Sequence, residues 1–417
     1  MSMDVTVGQS VPDTDRATAA SIAGLSHVPA SFKAMALICL SLKGGALAMS
    51  LPNGRNLVLG EGPVRAIMKV SDYALARRVF SSGDIGFAES FMAGEWDTPD
   101  LTATLTFLAD NAERLGRIFR GNPVSRAMHW MRHQSRANTK EGARQNILEH
   151  YDLGNAFYEL WLDPSMTDSS ARFDRTPAEA DLSAAQAEKY RSIARLMGLQ
   201  AGERVLEIGC GWGGFAEIAA KEYGAQVTGH TMSDAQLAYA KERKAKAALS
   251  EAVDLRIQDY RDVEGPFDKV ASIEMFEAVG EEYWSAYFAK IAEVLRPGGK
   301  AALQIITIRD DLFDSYRSRA DFIQRYIFPG GMLPSVTRLK EEVAKAGLVW
   351  ETMESFGPSY ARTLREWSTR FVGQWEGVRP LGFDDRFRQL WRFYLSYCEA
   401  GFLTGRTNVI QLALAKP

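Results

Sequence analysis

The sequence predicts an α/β protein: a right-handed, mostly parallel sheet covered by helices, preceded by a smaller α+β domain. Three observations point there. The apolar run Val205-Leu206-Glu207-Ile208 ends in a tight glycine turn, Gly209-Cys210-Gly211-Trp212-Gly213-Gly214, and a helical pattern follows at once. Short apolar runs at 227–229, 255–257, 269–274 and 301–308 then alternate with helical stretches, the order that gives parallel strands joined by crossover helices. Ahead of them, 32–111 has a different texture, with alternation around an Asn53-Gly54 turn.

Taken in order, residues 1–28 are rich in Ser, Thr, Ala and Asp without sustained periodicity, and a mobile tail is expected. Within 29–112, Leu47, Met49 and Leu51 alternate with Ala48 and Ser50, and 55–59 returns after the turn as a hairpin. A strand at 64–70, a helix over 72–81 with Asp72 near its cap, and an amphipathic helix over 101–110 complete an α+β domain suited to lipid association or dimerisation. Residues 113–145 read as a basic helical linker: Arg114, Arg117, Arg120, Arg126, Arg132, Arg136, Lys140 and Arg144 face only Glu113 and Glu141. Such a run is either a solvated face or a surface for anionic phospholipid, where each cation is worth about 1 kcal/mol. The main domain spans 146–417, with helices over 183–197, 215–223 and 283–295 and an Arg296-Pro297-Gly298-Gly299 turn into its late strand.

Composition narrows the function. With 417 residues, 46% of them hydrophobic, two domains with sizeable cores are affordable. A net charge of −3 argues against a chain-wide nucleic-acid footprint, so no nucleic-acid partner is expected. Cys39, Cys210 and Cys398 are scattered and odd in number, which argues against a disulfide framework and favours a reducing cytoplasm. The five histidines, among them His129 and His133 four apart, lack metal-ligand spacing, and no metal is expected. The N-terminus has no signal-peptide pattern, and the apolar run 34–42 is too short to cross a bilayer.

The turn after 205–208 is where a nucleotide would dock, because Gly209 and Gly211 allow positive φ and close backbone approach. The bland alternative is a turn that merely joins strand to helix. The spacing is G-x-G-x-G with an acid two residues ahead, and Glu207-x-Gly209-x-Gly211 resembles the S-adenosylmethionine loop of class I methyltransferases, a Rossmann-like fold. That resemblance implies that Glu207 orients the cationic methionine end of the cofactor.

From about residue 32 to the C-terminus the chain also resembles the cyclopropane-fatty-acyl-phospholipid synthases. The resemblance rests on His150-Tyr151-Asp152-Leu153-Gly154-Asn155, Gly209-Cys210-Gly211-Trp212-Gly213, Met275-Phe276-Glu277, Tyr326-Ile327-Phe328-Pro329-Gly330-Gly331, Tyr360-Ala361-Arg362-Thr363-Leu364 and Cys398-Glu399-Ala400-Gly401-Phe402. It implies that Gly209, Gly211, Gly213, Thr231, Met232 and Gln236 line the methionine and ribose of S-adenosyl-L-methionine, that Asp259, Tyr260 and Arg261 flank its adenine, and that Asp168 and Ser169 lie beside it. It also implies methyl transfer to a cis double bond of a phospholipid acyl chain, on the inner face of the membrane, by a peripheral cytoplasmic enzyme expected to be a homodimer.

In that family a bound bicarbonate serves as the base, caged by a cysteine, a glutamate with an adjacent histidine, a second histidine, a backbone position and a tyrosine. Here Glu277, Tyr360 and Ile306 stand at three of the positions, while Ser170 replaces the cysteine, Ala278 the first histidine and Gln304 the second; Asp168 replaces a tyrosine near the cofactor. These changes weigh against bicarbonate and against ring closure. The expectation is methylation that leaves a methyl-branched unsaturated or methylene product, with Glu277 as stabiliser or base, Tyr360 as its partner, and Ser170 and Gln304 as remaining donors. A redox enzyme would then act on the product. Conventional cyclopropane formation is the runner-up; a non-catalytic lipid- or cofactor-binding homologue and a small-molecule methyltransferase are the alternatives of other classes.

Overall fold

The structure is a computed structural model and describes residues 16–119 and 153–417. Most of the expected basic linker, His129, His133 and the His150-Tyr151-Asp152 segment lie outside the described residues. The described chain forms two compact units: 16–119 with 319–322 and 382–404, and 153–318 with 323–381 and 405–417.

In the first unit, β1 (Gly45–Ser50) and β2 (Asn56–Glu61) form the expected hairpin, with Leu47 opposite Leu59. β3 (Val64–Val70) runs parallel to β1, and β4 (Trp96–Asp97) closes the sheet in the order β2-β1-β3-β4. Val64, Ala66, Met68 and Val70 are buried while Arg65 and Lys69 are exposed, the period of two that fixes which face meets the core. The helix expected over 72–81 spans Ala74–Met92, with Asp72 accepting from the Ala74 amide at 2.8 Å. It runs on past a kink at Gly83 (φ 63°), where the chain folds so tightly that a Cβ at Gly86 would lie 2.1 Å from the Arg78 carbonyl oxygen. The tail expected over 1–28 is structured within its described part, with a capped helix at Ala19–Ala23.

Helix Asp385–Leu403, which the sequence places in the 146–417 domain, packs in this first unit. Its Glu399, 2% exposed, accepts from Thr102 Oγ1 at 2.9 Å, and Phe393 sits 6.4 Å from Phe87 and 5.7 Å from Phe91. Each such buried aromatic contributes about 1.5–3 kcal/mol.

The second unit is a seven-stranded sheet in the order β10-β11-β9-β8-β5-β6-β7. Its parallel strands are β5 (Arg204–Ile208), β6 (Gln226–Thr231), β7 (Val253–Ile257), β8 (Phe267–Ile273) and β9 (Leu295–Ile308); β10 (Val349–Ser355) and β11 (Thr407–Ala415) add two antiparallel ones. Successive residues of β5 bury on opposite faces, Leu206 and Ile208 against helix Trp284–Val294, Val205 against helices Leu182–Leu196 and Gly214–Tyr223. β11 is buried from Val409 to Leu414, as expected of a strand covered on both sides. The carboxyl ends of β5, β6 and β8 converge on one edge, where an open α/β sheet receives its ligand. Among the described residues, no helix is long and apolar enough to cross a membrane.

Candidate active site

The glycine turn after β5 has the geometry its sequence requires. Gly209, Gly211 and Gly213 take φ of 81°, 51° and 82°, and a Cβ at Gly209 would lie 2.8 Å from Met275 Cγ. The Gly209 and Cys210 amides both donate to the His230 carbonyl, at 3.0 and 2.8 Å, tying the turn to the end of β6. Gly209, Gly211, Thr231, Met232, Gln236, Asp168, Ser169, Glu207, Asp259, Tyr260 and Arg261 line one cleft, and Gly213 caps the following helix beside it.

Glu207 is 3% exposed, and its Oε2 has no hydrogen-bond partner among the described residues. Burial pushes its carboxyl well above the usual range. A buried acid with an orphaned oxygen fits a ligand that brings its own cation. Thr231 Oγ1 donates to Gln236 Oε1 at 2.9 Å, which orients that amide. Arg261 grips Asp259 (2.8 and 2.6 Å), and the Tyr260 ring, held edge-to-face on Tyr287 at 5.3 Å, lines the cleft. These features fit S-adenosylmethionine: an acid for its ammonium, a backbone cradle free of Cβ atoms, and an aromatic wall. His230 also lines the cleft; it is 3% exposed, neither ring nitrogen has a partner among the described residues, and burial lowers it to about 4, leaving it neutral.

A second polar cluster centres on a residue that motif matching passed over. Glu274 follows the last residue of β8 at φ 49°, a left-handed conformation costing about 1–3 kcal/mol outside glycine and concentrated at functional sites. Its Oε1 accepts from the Ser170 amide at 2.8 Å and Gln304 Nε2 at 2.7 Å, and its Oε2 accepts from the Tyr360 hydroxyl at 2.7 Å. Gln304 is held by Gln411 Nε2 on its Oε1 at 2.9 Å, and Gln411 Oε1 in turn accepts from Arg172 (2.6 Å) and Ser192 (2.7 Å). Burial raises the Glu274 carboxyl, opposed first by Lys189 and then by these donors.

Three of the four residues expected around the base, Ser170, Gln304 and Tyr360, therefore meet on Glu274. Two details are corrected. Tyr360, expected to partner Glu277, donates to Glu274 because the positive φ at 274 swings that carboxylate into the donor set. Ser170 contributes its amide, since its hydroxyl donates to the Ala171 carbonyl at 3.0 Å. Glu277 accepts from the Ile306 amide, while its Oε2 is buried with no partner among the described residues. Burial, reinforced by the charge of Glu274, pushes Glu277 up to about 8, so it is protonated at neutral pH. The signal for Glu274 was present: an acid at the carboxyl end of the strand beside β5 sits where ligands bind.

The family model described as mycolic acid cyclopropane synthetase matches residues 138–412. The chain belongs to this family. Its match to tuberculostearic acid methyltransferase UfaA1 of Mycobacterium tuberculosis is 40% identical, covering 82% of this chain and 81% of that protein. Cyclopropane-fatty-acyl-phospholipid synthase of Escherichia coli K12 is 34% identical over 84% of this chain and 87% of its own. Among solved structures, mycolic acid cyclopropane synthase CmaA1 complexed with SAH and CTAB aligns with a TM-score of 0.61 at 29% identity, covering 66% of this chain and 98% of that one. As a member of the mycolic acid cyclopropane synthetase family the chain is an enzyme, an S-adenosylmethionine-dependent methyltransferase of a family that acts on fatty acyl lipids.

Proposed function

We propose that this enzyme methylates the cis double bond of an unsaturated fatty acyl chain in membrane phospholipid, and finishes by proton loss to Glu274 rather than by ring closure. The observation that carries this is the seat of the Glu274 carboxylate on the Ser170 amide, Gln304 and Tyr360. Donors expected to hold an external anion instead hold a side chain of the protein itself.

S-adenosylmethionine, when bound, supplies an electrophilic methyl on a sulfonium. Glu207 would pair with its ammonium, the 209–213 turn would admit it closely, and Asp259, Tyr260 and Arg261 would flank the adenine. Methyl transfer to the olefin would use its π pair for the new C–CH3 bond, with the cofactor leaving as the neutral thioether and the neighbouring chain carbon left cationic. The anionic Glu274 stabilises that cation and then accepts a proton from an adjacent carbon, whose C–H pair becomes a new double bond. Tyr360 and Gln304 fix the carboxylate against rotation. Such a product keeps one unsaturation, so a reductive enzyme acting next would yield a saturated branched chain. The peripheral position on the inner membrane face and the homodimer belong to the same reading.

Conventional cyclopropane formation is the rival, supported by the 34% identity to the Escherichia coli synthase. Purified protein, S-adenosylmethionine and oleoyl phospholipid vesicles separate the two. Both products gain one CH2, but the expected one still adds bromine, and its rate is unchanged in carbon-dioxide-free buffer. A bromine-inert product, or a rate restored only by added bicarbonate, overturns the proposal; methyl transfer to soluble amines or phenols and none to lipid would overturn the substrate class.

A further inference from the structure

One charged side chain beside Glu274 has no role in the reaction described above. Lys189 lies on helix Leu182–Leu196, on the face that meets the sheet, and is 0% exposed. Its Nζ donates to Ser169 Oγ at 2.5 Å and stands 4.3 Å from the Tyr190 ring centroid. Burying an ammonium costs several kcal/mol, and a methionine of similar length would fill the same space without that cost. The charge itself therefore calls for an explanation.

Two short covalent and hydrogen-bonded arms join Lys189 to Glu274. Along one, Ser169 receives the ammonium, and the next residue, Ser170, gives its amide to the carboxylate. Along the other, the Lys189 carbonyl accepts from Gln411 Nε2 at 3.3 Å, which also donates to Gln304, whose amide donates to the carboxylate. Gln186, one turn earlier, locks the Ser169 carbonyl at 2.9 Å, so the first arm is rigid.

We propose that Lys189 is a positioning residue, the buried counter-cation that holds Glu274 as a carboxylate and resets it after each turnover. The inference rests on Glu274 being the base. Among the described residues, the charges that act most strongly on Lys189 are acids: Glu274 foremost, then Asp163, Asp168 and Glu207. Glu274 faces Lys189 as its main opposing charge, with Tyr360 as a donor and Glu277 beside it. Arg172 reaches the cluster through Gln411 and is itself paired with Glu354 at 2.7 Å and Asp174 at 3.2 Å. Burial works against both members of the pair, lowering Lys189 to about 7 and raising Glu274, and their mutual attraction opposes both shifts. A proton captured from the lipid cation neutralises Glu274 beside a positive charge, which favours its release to water. Without Lys189 the carboxyl would keep that proton.

The test is the pH dependence of methyl transfer in K189M, with E274Q as control. The expected result is an acid limb displaced upward by at least about one pH unit, with the rate regained toward pH 9, and S-adenosylhomocysteine binding retained by calorimetry. A purely structural role lowers the rate by the same factor at every pH. E274Q turning over like the wild type refutes Glu274 as base; E274Q inactive with an unshifted K189M profile refutes the role of Lys189 alone. Should K189M fail to fold, lysine Cε-labelled protein decides by NMR. The Lys189 resonance must titrate at lower pH in E274Q than in the wild type, and an unmoved titration overturns the inference.

Discussion

Glu277→Gln tests the electrostatics of the site through stability. Glu277 is pushed from about 4.5 up to about 8 in the folded protein, first by burial and then by the charge of Glu274. Below pH 4.5 both folded and unfolded chains hold this proton and its stabilising contribution is complete. Between 4.5 and 8 the unfolded chain ionises while the folded one does not, so stability falls as pH rises, and above 8 the loss is finished. The full window corresponds to about 5 kcal/mol at 1.36 kcal/mol per pH unit. The residue keeps part of its surface accessible, so about half, roughly 2–3 kcal/mol, is the loss to expect. The amide variant preserves the acceptor for the Ile306 amide and stays neutral throughout. Thermal unfolding followed by circular dichroism from pH 5 to pH 8.5 should show the variant's Tm gaining about 2–4 °C on the wild type across that range. A gap that stays flat with pH refutes the buried, proton-bearing Glu277. The same variant should retain methyl transfer at pH 7, where the native side chain is already neutral.

Two further outcomes follow from the same geometry. Tyr360→Phe removes one charge-assisted hydrogen bond to Glu274, worth about 1.5–3 kcal/mol, and turnover in a radiolabelled methyl assay should fall about 10- to 100-fold with cofactor affinity unchanged. Gly209→Ala places a methyl 2.8 Å from Met275 Cγ at φ 81°, and calorimetric affinity for S-adenosylhomocysteine should fall at least about tenfold; an unaltered affinity would remove this turn from the cofactor site.

The parallel half of the sheet was legible because each strand there is a short apolar run bounded by a turn and a helix. The glycine cradle was legible because its spacing states its backbone requirement. The antiparallel pair β10 and β11 was not assigned: β11 pairs with β9, a partner about a hundred residues away, and no local pattern announces that contact. Helix Asp385–Leu403 shows an apolar stripe, but nothing in the stripe says that it packs on 74–110. The donor cluster on Glu274 was hidden for a sharper reason. Glu274 and Glu277 lie three residues apart, and motif alignment favours the second. What sets Glu274 apart is one positive φ just past the end of β8, where its carboxylate meets donors from 170, 304 and 360.

That left-handed residue has a bearing on how such a site changes its chemistry over generations. Glycine is the natural occupant of φ 49°, and one nucleotide separates glutamate codons from glycine codons. Glu274→Gly would relax the backbone and leave the Ser170 amide, the Gln304 carboxamide and the Tyr360 phenol without the acceptor they now share. On the proposed reading, a base carried on the chain and one taken from solution lie a single codon change apart, with backbone strain accompanying the first.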